Sequence, residues 1–87
     1  SAYPNPFNPV VTIQFSVSDV HTSRQVGNVS LRVYDISGRL IESLIDEELE
    51  QGLHTVQWDA GNFVSGMYFV RMETGSFISH QKIVLLK

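Results

Sequence analysis

Val11, Ile13, Phe15 and Val17 occupy every second position of one run, with Thr12, Gln14 and Ser16 between them. Such alternation puts one apolar and one polar face on an extended chain, so the run reads as a half-buried strand. The same pattern returns twice. Val29, Leu31 and Val33 alternate with Ser30, Arg32 and Tyr34, and His54, Val56 and Trp58 alternate with Leu53, Thr55 and Gln57. Residues 40–45, 67–73 and 77–86 add β-branched, aromatic or leucine-rich runs, and the turn residues Asp35, Ser37 and Gly38 and then Thr74, Gly75 and Ser76 make hairpins of their neighbours. Nowhere do apolar residues recur at helical spacing over three turns. The expectation is an all-β chain, an immunoglobulin-like antiparallel β-sandwich of six to seven strands.

Two stretches break the alternation. Residues 18–28 are polar and read as a loop, with room for a short edge strand, and Asp46, Glu47, Glu48 and Glu50 read as a charged interruption before Gly52. All 3 prolines fall at positions 4, 6 and 9, where each fixes φ and biases its predecessor to an extended form. Residues 1–9 are therefore expected to be a stiff lead-in or linker, and 10–87 the folded domain. Ser1 and Ala2 read as what remains where a chain has been cut from a longer parent.

Composition limits what this fold can do. At 87 residues there is room for one core, because a chain this short buries only about 60–65% of the surface its unfolded form exposes. Hydrophobic residues at 43% against 17% charged are enough to fold, while a net charge of -3 argues against nucleic acid or an anionic membrane as partner. With 0 cysteines there is no disulfide, zinc–thiolate or thiol chemistry. No apolar run reaches the roughly 18–20 residues that would span a bilayer, so membrane insertion is not expected, and no signal peptide opens the chain.

Candidate chemistry is sparse. His21, His54 and His80 have no second ligand at metal spacing. The 46–50 carboxylates lack the alternating Asp pattern that wraps oxygens around calcium, which favours a solvated turn. Ser37 and Ser43 stand outside any nucleophile motif. No catalytic, metal or cofactor site is expected, and the chain reads as a non-enzyme. Trp58 is in phase with Val56 and is expected in the core. On a surface it would instead suit a sugar ring, and a carbohydrate-binding module of a secreted hydrolase stays open on that ground.

Three blocks, at positions 3–17, 31–45 and 52–87, carry a resemblance that covers the chain essentially end to end. Tyr3-Pro4-Asn5-Pro6-Phe7-Asn8-Pro9 precedes the first strand, Leu31-Arg32-Val33-Tyr34-Asp35-Ile36-Ser37-Gly38-Arg39 spans the first hairpin turn, and Gly52-Leu53-His54-Thr55-Val56-Gln57-Trp58-Asp59, Ser65-Gly66-Met67-Tyr68-Phe69-Val70-Arg71 and Lys82-Ile83-Val84-Leu85-Leu86-Lys87 follow. Together they resemble the C-terminal sorting domains of bacterial type IX secretion. The glycine, tryptophan and tyrosine blocks are shared with the immunoglobulin-like domain of flagellar hook-capping proteins, and the proline-rich start and terminal lysine separate the two. The chain departs from the sorting-domain pattern in the length of 18–28 and in lacking a proline at the end of the first strand.

The resemblance implies a non-catalytic signal that directs an N-terminal cargo domain through the periplasm and across the outer membrane, to the cell surface or the medium. It implies an outer-membrane translocon and a surface signal peptidase as partners. Pro4, Asn5, Pro6, Gly38, Gly66, Tyr68, Lys82 and Lys87 are the carriers of the sorting motif. Each also has a structural reading: proline as a stiff turn, glycine as a backbone device, and lysine as a guard against strand pairing. A structural immunoglobulin-like spacer is the other alternative. If the 77–87 strand lies at a sheet edge, it is the element that docks by strand addition.

Overall fold

A computed structural model of the chain describes residues 2–5, 8–17, 26–75 and 77–86. Seven strands run through them: β1 Ala2–Asn5, β2 Asn8–Val17, β3 Val26–Asp35, β4 Leu40–Glu50, β5 Gly52–Asp59, β6 Gly66–Thr74 and β7 Phe77–Leu85. There is no helix among the described residues. One sheet has the order β1-β2-β5 and the other β4-β3-β6-β7, and every pairing is antiparallel. This is the immunoglobulin-like sandwich the alternation predicts.

The in-phase residues fill the space between the sheets. Val11, Ile13 and Val17 of β2 are buried with Val29, Leu31 and Val33 of β3, Trp58 of β5, Tyr68, Val70 and Met72 of β6, and Ile83 and Leu85 of β7. Burying one such side chain is worth about 1.5–3 kcal/mol, so these faces supply the driving force in a chain that has no disulfide. Among the described residues no polar or charged side chain is buried with them.

Several boundaries differ from the sequence reading. Within the lead-in Ala2–Asn5 is an extended strand that pairs with β2, which starts at Asn8 and not Val10. Pro9 is accommodated because Pro4 faces Val11 while Asn5 faces Asn8, leaving positions 9 and 10 unmatched by β1. A residue without an N–H fits at such an irregularity. Next, β3 begins at Val26, so the 18–28 loop is at least three residues shorter than expected, and 18–25 lie outside the described residues.

The third difference is the acidic segment, which is not a turn. β4 continues to Glu50, with Asp46 facing Ser30 and Glu50 facing Val26. Charge is tolerated in this strand because β4 is an edge of its sheet, and Asp46, Glu47, Glu48 and Glu50 are exposed while Leu49 packs on the core. Hydrophobicity patterns miss strands that need to bury so little. Lastly, the final strand ends at Leu85, one residue early.

Candidate functional site at the C-terminal edge

Among the described residues β7 lies at the edge of the four-stranded sheet, paired with β6 and no other strand, in continuous register from Thr74↔Phe77 to Gly66↔Leu85. Its alternation sends Ile83 and Leu85 into the core and turns Ile78, His80, Lys82 and Val84 outward, with Val84 47% exposed. The strand is therefore anchored by one face while the other face and one backbone edge remain outside the core.

Three features gather where β7 ends. The β3–β4 turn is fastened by Asp35, whose Oδ1 accepts from Ser37 Oγ at 2.6 Å, from Ser37 N at 3.0 Å and from Arg39 N at 3.0 Å. The Ser37 hydroxyl first, and then the Arg39 N–H, hold the Asp35 carboxyl below the ordinary aspartate range. Gly38 sits in this turn at φ 89°, a conformation that disfavours any side chain with a Cβ.

The second feature is the β5–β6 connection. Gly61 N donates to Asp59 Oδ1 and Phe63 N donates to the Ala60 carbonyl, at 3.0 and 3.1 Å. Trp58, Phe63 and Tyr68 then form an aromatic trio, with the Tyr68 ring edge-on to Trp58 at 5.3 Å and to Phe63 at 6.4 Å. The Tyr68 hydroxyl donates to the Val64 carbonyl at 2.6 Å, tying the loop to the strand that follows it. Trp58 is 0% exposed, so its indole is not a surface platform for a sugar, and its Nε1 is buried with no hydrogen-bond partner. Gly66 opens β6 at φ 154°, opposite Leu85.

The third is the open cleft between those two loops, about 580 Å³, with Ile36, Ile41, Phe63, Val64, Met67 and Tyr68 among its walls. Gly38, Gly66 and Tyr68, which sequence alone scatters over 31 positions, are thus brought to the end of the sandwich that β7 closes. Asn5 lies toward the same end through its register with Asn8, two positions before Val10, which faces Asp59. Pro4 lies one residue further along β1. Lys82 stands apart, opposite Phe69 in mid-strand and exposed. Pro6 and Lys87 lie outside the described residues.

The outer face of the four-stranded sheet has a content that single-strand patterns do not reveal. Register sets Arg32 opposite Arg71 and Arg71 opposite His80, so three strands contribute to one cross-strand row. The adjacent row is Tyr34, Phe69 and Lys82. Tyr34, Phe69, Arg71 and His80 wall a shallow groove of about 260 Å³. Arg71 Nε lies 3.0 Å from Glu73 Oε1, an ion pair by distance whose angle falls outside hydrogen-bond geometry, which leaves that buried nitrogen unbonded. Arg32 donates to Ser30 Oγ at 3.0 Å and reaches Asp46 only at 4.0 Å.

Of the residues weighed for metal or catalysis, His54 stacks on Phe15 at 5.6 Å and its Nε2 lies 2.6 Å from the Glu50 carbonyl, while His21 is outside the described residues. Asp46, Glu47, Glu48 and Glu50 are spread along a strand, where successive side chains point to opposite faces. Among the described residues no three His, Asp or Glu side chains gather as a metal site.

The family model described as "Secretion system C-terminal sorting domain" matches residues 1–86. No curated protein matches the chain.

Proposed function

Because the chain belongs to the family of type IX secretion C-terminal sorting domains, we propose that it works as a folded export signal whose docking element is β7. It has the sorting-signal role of its family. In the finer reading, it carries an attached N-terminal cargo domain from the periplasm across the outer membrane to the cell surface or the medium. The outer-membrane translocon binds it, and a surface signal peptidase then separates it from the cargo near residues 1–9. The work is binding and not bond-making.

One observation carries this reading: the strand that holds the C-terminal motif is a sheet edge. An edge strand presents a row of N–H and C=O groups with no neighbour on one side, and a second chain that pairs there gains main-chain hydrogen bonds, with specificity from the alternate side chains. β7 is held in register by β6 along its whole length, so the docking edge is preorganised and ordering it costs little. In this reading Gly38, Gly66 and Tyr68 shape the end of the sandwich on which the strand terminates. Pro4, Asn5 and Pro6 set the path of the chain from the cargo, and Lys82 and Lys87 meet the partner.

The test is a fusion of residues 1–87 behind a periplasm-directed fluorescent reporter in a bacterium with type IX secretion. Truncation of 83–87 is a poor control, since it removes the buried Ile83 and Leu85 and with them the fold. The outward pair Lys82→Glu and Val84→Asp alters the docking face and leaves the core intact. Reporter at the surface with the native chain, and in the periplasm with a folded double variant, is the expected result. Periplasmic retention of both proteins, each folded, would move the assignment to a structural spacer.

A further inference from the structure

The cross-strand row Arg32–Arg71–His80 runs over β3, β6 and β7 and stops at the open edge, so its next place belongs to whatever strand docks there. We infer that this strand is acidic: its outward face carries carboxylates in register with His80 and Lys82. The inference rests on the reading of β7 as the docking edge and names the chemistry of its partner.

Charge on the outer face points to it first. Arg32 and Arg71 stand directly opposite one another, an arrangement of like charges that costs stability unless anions offset it. Those two are offset within the chain, with Asp46 4.0 Å from Arg32 and Glu73 3.0 Å from Arg71, and the groups nearer the edge are not. Among the described residues no carboxylate pairs with His80 or Lys82. In a chain with a net charge of -3, His80 and Lys82 thus stand on the edge strand without an anion of their own.

Strand geometry fixes where a partner's carboxylates fall. A strand added to β7 lies about 4.8 Å beyond it, and residues directly opposite have Cβ atoms about 5 Å apart. Two in-phase acidic side chains therefore meet His80 and Lys82, while their outer neighbours meet Ile78 and Val84, both exposed. The groove walled by Tyr34, Phe69, Arg71 and His80 extends this positive, aromatic surface inward from the edge.

The other edge of the same sheet selects against such a partner. β4 carries Asp46, Glu47, Glu48 and Glu50, so an acidic strand is repelled there and accepted only at β7. Charge thus decides which of two edges is used, a choice that main-chain hydrogen bonds alone do not make.

The experiment uses the 87-residue chain, isotope-labelled, with three eight-residue peptides of alternating valine and threonine that carry either glutamate, glutamine or lysine at two adjacent in-phase positions. Amide shifts map the edge used, and titration gives each affinity. The expected result is that the glutamate peptide perturbs β7 and not β4, and binds about tenfold more tightly than the glutamine peptide. The double variant His80→Glu, Lys82→Glu, with folding checked by circular dichroism, is expected to prefer the lysine peptide instead. Glutamine or lysine peptides that bind β7 as tightly as glutamate would overturn the acidic partner while leaving the edge reading standing. Failure of every peptide to perturb β7 would overturn the edge reading itself. Concentration-dependent self-association abolished by Lys82→Glu would show that the acidic strand is β4 of a second copy, and would overturn its assignment to an export partner.

Discussion

Tyr68→Phe removes one oxygen from the aromatic trio and nothing else, which makes it a sharp probe of how the β5–β6 loop is held. The lost interaction is the 2.6 Å bond from the Tyr68 hydroxyl to the Val64 carbonyl. A net hydrogen bond of this kind is worth about 0.5–1.5 kcal/mol. The Val64 side chain is 77% exposed, so water can reach this loop and re-solvate a freed carbonyl, and the expected cost sits near the middle of that range, about 1 kcal/mol. For a domain of this size that lowers Tm by about 4–8 °C. Tyr68→Leu also forfeits the edge-on contacts with Trp58 at 5.3 Å and Phe63 at 6.4 Å. Each of those pairs is worth about 0.5–1.5 kcal/mol, so the leucine variant should fall by about 2–4 kcal/mol in all. Differential scanning calorimetry gives the stabilities, and amide exchange at residues 64–67 reports the loop. A phenylalanine variant with unchanged Tm and unchanged loop exchange would refute the assignment of the hydroxyl as the tether.

Two further outcomes follow from groups already described. Asp35 has a folded-state pKa below its unfolded value, so its contribution is fully present above the ordinary aspartate range and is lost as pH falls through the lowered folded value. Asp35→Asn should lower Tm near neutral pH and flatten the acid limb of the stability profile, as thermal melts between pH 2 and pH 7 (about the span in which carboxylates titrate) would record. An unchanged acid limb would mean that the turn hydrogen bonds do not contribute. Leu85 is 1% exposed in the core, and Leu85→Ala should cost about 2–5 kcal/mol, read from urea denaturation, although no docking contact is touched.

The strands that bury one full face could be read directly. In β2, β3 and β5 the core-facing positions are mainly apolar, and Val11, Ile13, Val17, Val29, Leu31, Val33 and Trp58 are all where alternation put them. β4 could not be read past Ile45 because an edge strand over the rim of the core needs few apolar anchors, and only Leu49 supplies one in its last five residues. β1 hid behind prolines that usually argue against a strand, and an edge position removes that objection for Pro4. As for the site, the motif residues could be named from sequence, but their meeting at one end depends on pairings such as Gly66↔Leu85. The Arg32–Arg71–His80 row was invisible for the same reason. Its members lie 39 and 9 positions apart, and nothing within a strand fixes the register between strands.

The two edges of the four-stranded sheet face the same hazard and are treated differently. β4 has charged side chains along its last turn-ward half and is only partly anchored in the core, the usual defence against unwanted pairing. β7 has a single described lysine among Phe77, Ile78 and Val84, each of those three at least 47% exposed. If guarding alone governed both, β7 would be as heavily charged as β4, since it is the more deeply anchored and therefore the better template for a foreign strand. The contrast makes sense when one edge is kept closed and the other is kept for a partner. It also sets a limit on engineering: adding carboxylates to β7 to improve solubility should improve it, and should remove export in the same step.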